Sequence, residues 1–160
     1  MKNNIRVLAA VLCAVMLLIP FTACKSTPAT PKVKTSISIY SDTEQKEPFM
    51  LIKDLELDEG STVTAAMDAL CAKYEASYTL GSDDQFLTFT YDNSTIKAPD
   101  GKRLDNGNMI MYFFGWTYNG EAMTSTAEKA VTVKPAEKVV EDGSSIVVFV
   151  QALEVTPAEN

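Results

Sequence analysis

The sequence predicts an α+β domain: one main helix packed on one face of a mixed or antiparallel sheet. Two observations carry this. Only one segment, near residues 61–81, repeats its apolar residues at the three-and-four spacing of a helix. Around it, short apolar runs alternate in the manner of strands and are separated by turn residues.

The elements follow in order. Ser36–Tyr40 alternates polar and apolar residues, the period of a half-buried strand. Asp42–Pro48 is turn-like. Phe49–Leu57 is apolar again, but Ile52, Leu55 and Leu57 share no single period, so a strand with an irregularity is expected. Gly60-Ser61 precedes the helix, with Ser61 as the expected N-cap. Val63, Ala66, Met67, Leu70, Cys71, Tyr74 and Tyr78 build one apolar stripe, and Gly81 is the expected stop. Phe86–Tyr91 is strand-like, and Pro99-Asp100-Gly101 signals a turn.

Met109–Tyr118 reads as a strand with Tyr112, Phe114, Trp116 and Tyr118 on one face. Gly115 in its interior implies a bulge or a close approach of another group. Asn119-Gly120 supplies the two positive-φ residues of a tight hairpin. Val131–Val133 is expected as a short strand. Ser145–Val155 is a last long strand, its apolar run predicting a central position covered on both faces. A helix between an early strand pair and a later strand set gives a layer architecture of the β-grasp kind.

The first residues stand apart from this domain. Lys2 and Arg6 precede the apolar run Val7–Ile19, which is short for a membrane span and the right length for a secretory leader. Phe21-Thr22-Ala23-Cys24 follows, and the order resembles the lipobox of bacterial lipoproteins, with Phe21 where Leu is usual. The resemblance implies a signal peptide over 1–23, a diacylglyceryl group on Cys24, and residence on the extracytoplasmic face of the bacterial cell membrane. Two acyl chains suffice for stable anchoring. Residues 24–34 are expected as a flexible spacer, 35–156 as the domain and 157–160 as a tail.

Removing Lys2 and Arg6 with the leader leaves 12 basic residues against 21 acidic ones. So acidic a chain is poorly suited to phosphate backbones, and no nucleic-acid partner is expected. The sequence has three cysteines. Cys13 leaves with the leader and Cys24 is consumed by lipid, so Cys71 stands alone, without a disulfide partner, as a packed residue of the helix.

The 160 residues contain no histidine, so no Ser-His-Asp triad, Cys-His dyad or His-ligated zinc is available. No phosphate-binding glycine loop follows a strand. Asp83-Asp84 and Asp58-Glu59 lie in polar turns, where nothing separates their pKa values for acid–base work. Neither catalytic residues nor a metal site is expected, and the chain reads as a binding module rather than an enzyme.

Three segments, in order, resemble the transcobalamin-like C-terminal domain family. They are the helix opening Gly60–Leu70, the strand and turn Phe114–Glu121, and Val140–Phe149, whose turn leads into the final strand. The spacing from Trp116 to Asn119-Gly120 is shorter than the common bacterial form, and Ser144 stands where a second Asp is usual. The resemblance implies a β-grasp-like domain that covers one face of cobalamin through the hairpin before the last strand. Carried over, the ligand-binding residues are Trp116, Tyr118, Asn119 and Glu121, with Val131 across the hairpin. Vitamin carriers complete the site with a helical barrel that this chain lacks, which implies either weaker binding or a partner such as a membrane transporter.

Trp116 and Tyr112 fit two roles at this point, packed core or ligand platform. Tyr118 and Asn119, near the turn, are expected to be exposed. Two functions follow. One is a lipid-anchored binding protein for cobalamin or a related corrinoid, which would be cargo and not a catalytic cofactor. The alternative is a cell-surface module that binds protein or glycan and has no small-molecule pocket.

Overall fold

The computed structural model describes residues 29–125 and 131–156. The chain divides into two compact units at Thr30/Pro31, and the second, Pro31–Asn160, is the folded domain. Residues 1–28, which include Cys24 and the expected leader, lie outside the described residues, as do residues 157–160, expected as a tail.

The domain is α+β. Strands β1 (Lys32–Tyr40) and β2 (Pro48–Asp58) form an antiparallel hairpin. Helix α1 (Val63–Tyr74) follows, then a small antiparallel sheet of β3 (Ser77–Leu80), β4 (Phe86–Tyr91) and β5 (Ser94–Lys97). The chain returns to the main sheet through β6 (Lys102–Arg103), β7 (Met109–Tyr118), β8 (Glu121–Ala122) and β9 (Ser144–Val155). The main sheet runs β2-β1-β9-β7-β6, with β8 also on β7. It is mixed, because β9 pairs parallel with β1 and antiparallel with β7. The domain starts earlier than the sequence suggests. Lys32–Lys34, expected in the spacer, pair with Glu56–Asp58, and Val33 is buried.

The irregularity foreseen in β2 is a bulge. Between Thr35↔Leu55 and Ile37↔Ile52 the β2 side carries an extra residue, and Asp54 adopts φ +53°. The bulge resets the alternation, so Ile52 and Leu55, three residues apart, are both buried.

The helix begins one residue later than expected and ends sooner. Thr62, not Ser61, is the N-cap: its hydroxyl accepts a hydrogen bond from the Ala65 amide at 3.3 Å. Val63, Ala66, Met67 and Leu70 are buried. Glu75 caps the C-terminus in the left-handed region, so Gly81 is not the stop. Tyr78 leaves the helical stripe and enters β3, where β-favouring Tyr and Thr pair with β4. Its ring still reaches the core, stacked on Phe89 with centroids 6.2 Å apart.

The helix and the small sheet cover the same face of the main sheet. Helical Val63, Met67 and Leu70 share one core with Ile37, Ile39, Ile146, Val148 and Val150, and Phe89 meets Phe114 edge-on at 5.2 Å. β9 is central, as foreseen, but fully covered on one face and only partly on the other. Ile146, Val148 and Val150 are buried, while Val147, Phe149 and Leu153 on the alternate face are half-buried. Val131–Val133 forms no strand. The Val133 amide donates to the Met123 carbonyl at 2.9 Å, a single bond without a ladder.

Candidate functional site

The residues singled out from the sequence lie along β7 and the turn after it. Their side chains are placed differently from the expectation. Trp116 is 2 % exposed and Tyr118 is 3 % exposed. Both belong to the face of β7 that joins the shared core, so Trp116 is core. Tyr118, expected at the surface, is corrected to core as well. Its hydroxyl oxygen accepts a hydrogen bond from the Glu141 amide at 2.7 Å, and the Lys138 ammonium lies 4.2 Å from its ring centre. The physical reason is the pleat: residues 114, 116 and 118 share one face, and that face is covered to its end.

Asn119 and Gly120 turn the hairpin with φ of +51° and +80°, as the sequence requires. Asn119 is exposed, but its polar groups are engaged. Its amide donates to the Ser145 carbonyl and its side-chain oxygen accepts from the Ser145 amide, both at 2.8 Å. It therefore locks the turn to the start of β9. Glu121, exposed, stands opposite Tyr118 across the turn. Val131 does not lie across the hairpin. Its amide donates to the Ser125 hydroxyl at 3.2 Å, and its carbonyl accepts from the same hydroxyl at 2.9 Å. It thus lies beside the segment after β8, one chain further out. Trp116, Tyr118, Asn119 and Glu121 are brought together by one hairpin, but they do not form an open aromatic patch.

The concave surfaces lie at the other end of β7, around Tyr112. One hollow of about 400 Å³ is bordered by Ser41, Asp42 and Thr43 after β1, by Pro99, Asp100 and Lys102 before β7, and by Tyr112 and Val150. A second, of about 290 Å³, lies between Tyr112 and Leu153 on one side and Gln85, Thr124 and Thr132 on the other. Tyr112 borders both. The pairing explains the second hollow. β6 pairs with β7 only at Met109 and Ile110, and β8 only at Thr117 and Tyr118, so no strand flanks the middle of β7 on that side.

The first hollow has an apolar floor and a rim of hydroxyl, carboxylate and ammonium groups. This composition suits a small, mostly apolar ligand oriented by a few polar groups. Sequence reasoning placed Tyr112 on the correct face of β7. It missed the hollow because Ser41–Thr43 and Pro99–Lys102 lie far apart in the chain and read only as turns.

Gly115 shows the close approach inferred from its position. A Cβ there would run into the Gln151 side-chain oxygen and lie 2.9 Å from the Thr124 hydroxyl. The Thr124 hydroxyl accepts a hydrogen bond from the Trp116 amide at 3.2 Å, and the Gln151 side-chain amide donates to the Ser125 carbonyl at 3.0 Å. The bare backbone of Gly115 lets the chain after β8 lie against β7.

Among the described residues, no group of three or more Cys, Asp or Glu is placed to hold a metal ion, and no helix is long and apolar enough to cross a membrane. Burial, with the Asp68 carboxylate nearby, pushes the Cys71 thiol above its usual range. No family model matches the chain, and no curated protein matches it. The class defined by fold and site is therefore an α+β domain with a two-part hollow about one tyrosine.

Proposed function

We propose that the protein is a lipid-anchored, extracytoplasmic binding protein that takes part of a largely apolar ligand at the Tyr112 hollows, with cobalamin or a related corrinoid as the first ligand to test. The observation that carries this is the larger hollow, with Tyr112 and Val150 as floor and Asp42, Asp100 and Lys102 at the rim. The anchoring rests on the order of features at 1–24, from basic start to Cys24. The corrinoid rests on the three segments described above. A broad apolar plate edged with amides matches an aromatic floor with a polar rim, and it would be covered on one side only. With no histidine in the chain, recognition relies on shape, apolar contact and hydrogen bonds.

The test is a titration of the detergent-solubilised full chain with cobalamin, followed by corrinoid absorbance and equilibrium dialysis. Saturable binding that Tyr112→Ala weakens by about tenfold, roughly 1.4 kcal/mol, supports the reading. Binding untouched by Tyr112→Ala moves the ligand elsewhere, and no binding removes the corrinoid.

A surface module for protein or glycan is the second reading. It is favoured by the uncovered face of the main sheet, where Met111 is 50 % and Met109 39 % exposed. Met109→Lys, at a residue that borders neither hollow, would then weaken partner capture without altering any small-molecule titration.

A further inference from the structure

The sheet has two chemically different ends, and the chain enters at only one of them. Lys32 opens β1 beside Asp58, which closes β2. The Pro31 carbonyl accepts from the Glu59 amide, and the Lys34 carbonyl accepts from the Gly143 amide, both at 2.8 Å. The Asn119 turn is bonded to Ser145 at this same end. The Tyr112 hollows lie at the other. Thr35 pairs with Ser144, and Tyr112 pairs with Ala152 eight residues further along β9. From Lys32 to the level of Tyr112 is thus about eleven strand residues, roughly 36 Å.

Only seven residues, or eight Cα-to-Cα steps, separate Cys24 from Lys32. Fully stretched, these eight steps reach at most about 28 Å. The tether is therefore shorter than the sheet. Turning the Tyr112 end to the bilayer would require lifting Lys32 by more than the stretched tether allows. Acidic residues also outnumber basic ones at the tethered end. Glu56, Asp58, Glu59, Glu121, Glu141 and Asp142 stand there against Lys32, Lys34 and Lys138, so anionic headgroups do not draw the domain down.

We propose that the tether fixes the orientation of the domain: the Asn119 turn faces the lipid headgroups, and the Tyr112 hollows open away from the membrane, toward soluble ligand. This rests on the lipid-anchor reading of Cys24. It also separates the two ligand placements. Asn119 and Glu121 would meet cargo only in the gap between domain and bilayer, whereas Tyr112 would meet it from solution.

The experiment uses the full chain, expressed in bacteria and reconstituted in phosphatidylcholine vesicles whose headgroups carry an energy-transfer acceptor. In a Cys71→Ser background, single dyes are placed at exposed positions of the tethered end (Glu59→Cys, Glu141→Cys) and of the far end (Glu47→Cys, Asp105→Cys). Circular dichroism checks that each variant keeps its fold. Transfer should be several-fold greater at 59 and 141 than at 47 and 105. Lengthening the spacer after Ser26 with a Gly-Ser segment longer than the sheet should reduce that difference. Equal transfer at both ends, or greater transfer at 47 and 105, overturns the orientation.

Incorporation of an alkyne fatty acid, abolished by Cys24→Ser, is measured in parallel. Lipid present with uniform transfer overturns the orientation alone, and lipid absent overturns the anchor and the orientation together.

Discussion

Trp116 and Gly115 are neighbours on β7 and point to opposite faces of the sheet, and each has a distinct sensitivity. Trp116 fills space in the shared core and is 2 % exposed. Trp116→Ala is expected to cost about 3–5 kcal/mol, read as a lower urea midpoint, because it leaves a cavity that the packed core closes only in part. A variant that keeps wild-type stability would put Trp116 outside the core. Gly115→Ala instead adds one methyl against Gln151 and Thr124. It should cost about 1–3 kcal/mol through overpacking. Adding Gln151→Ala should restore part of that loss, and additive losses in the double variant would show that Gln151 is not the obstacle. The sequence made the Gly115 contact legible, since a glycine inside an aromatic strand has few other reasons. For Trp116 it left both roles open, because alternation gives the face and not what covers it.

At the scale of elements, β7 and the Asn119 turn lie where the sequence places them, because a ten-residue run rich in aromatic and other apolar residues followed by Asn-Gly leaves little freedom. The helix boundaries were less legible. Ser61 and Thr62 are both competent caps, and only the hydrogen bond to the Ala65 amide distinguishes them. Thr62→Ala should therefore destabilise by about 1 kcal/mol in denaturant titration, while Ser61→Ala should change stability little. The reverse result would move the cap back to Ser61. The helix end was misjudged because Tyr78 continues the helical spacing by coincidence. Pairing with β4 and stacking on Phe89 outweigh that pattern. The candidate hollow was least legible of all, since its walls come from two separate connections and three strands.

For the whole molecule, two raised pKa values act in the same direction. The Cys71 thiol is pushed up by burial and then by Asp68. The Tyr78 hydroxyl is pushed up by burial and by its 2.8 Å hydrogen bond to Asp68. A group whose folded pKa exceeds its unfolded value binds its proton more tightly in the fold. Its contribution is complete below the unfolded pKa and is lost as pH rises toward the folded one. Stability should therefore fall at alkaline pH, beginning near the ordinary thiol range, about 8.5. Melting temperatures across that range would show it. Cys71→Ser should flatten the first part of the fall, and an unchanged profile would rule out the thiol.

The parallel pairing of β1 with β9 joins the first strand of the domain to the last. A folding chain thus holds β1 and β7 with an empty slot between them until its final strand docks. The β1–β2 hairpin then keeps an unpaired edge, and β7 lacks its longest neighbour. Such non-local closure makes folding slow compared with a helical bundle of similar size. Until that strand docks the domain is a set of waiting edges, and it becomes a finished sheet only in one late step.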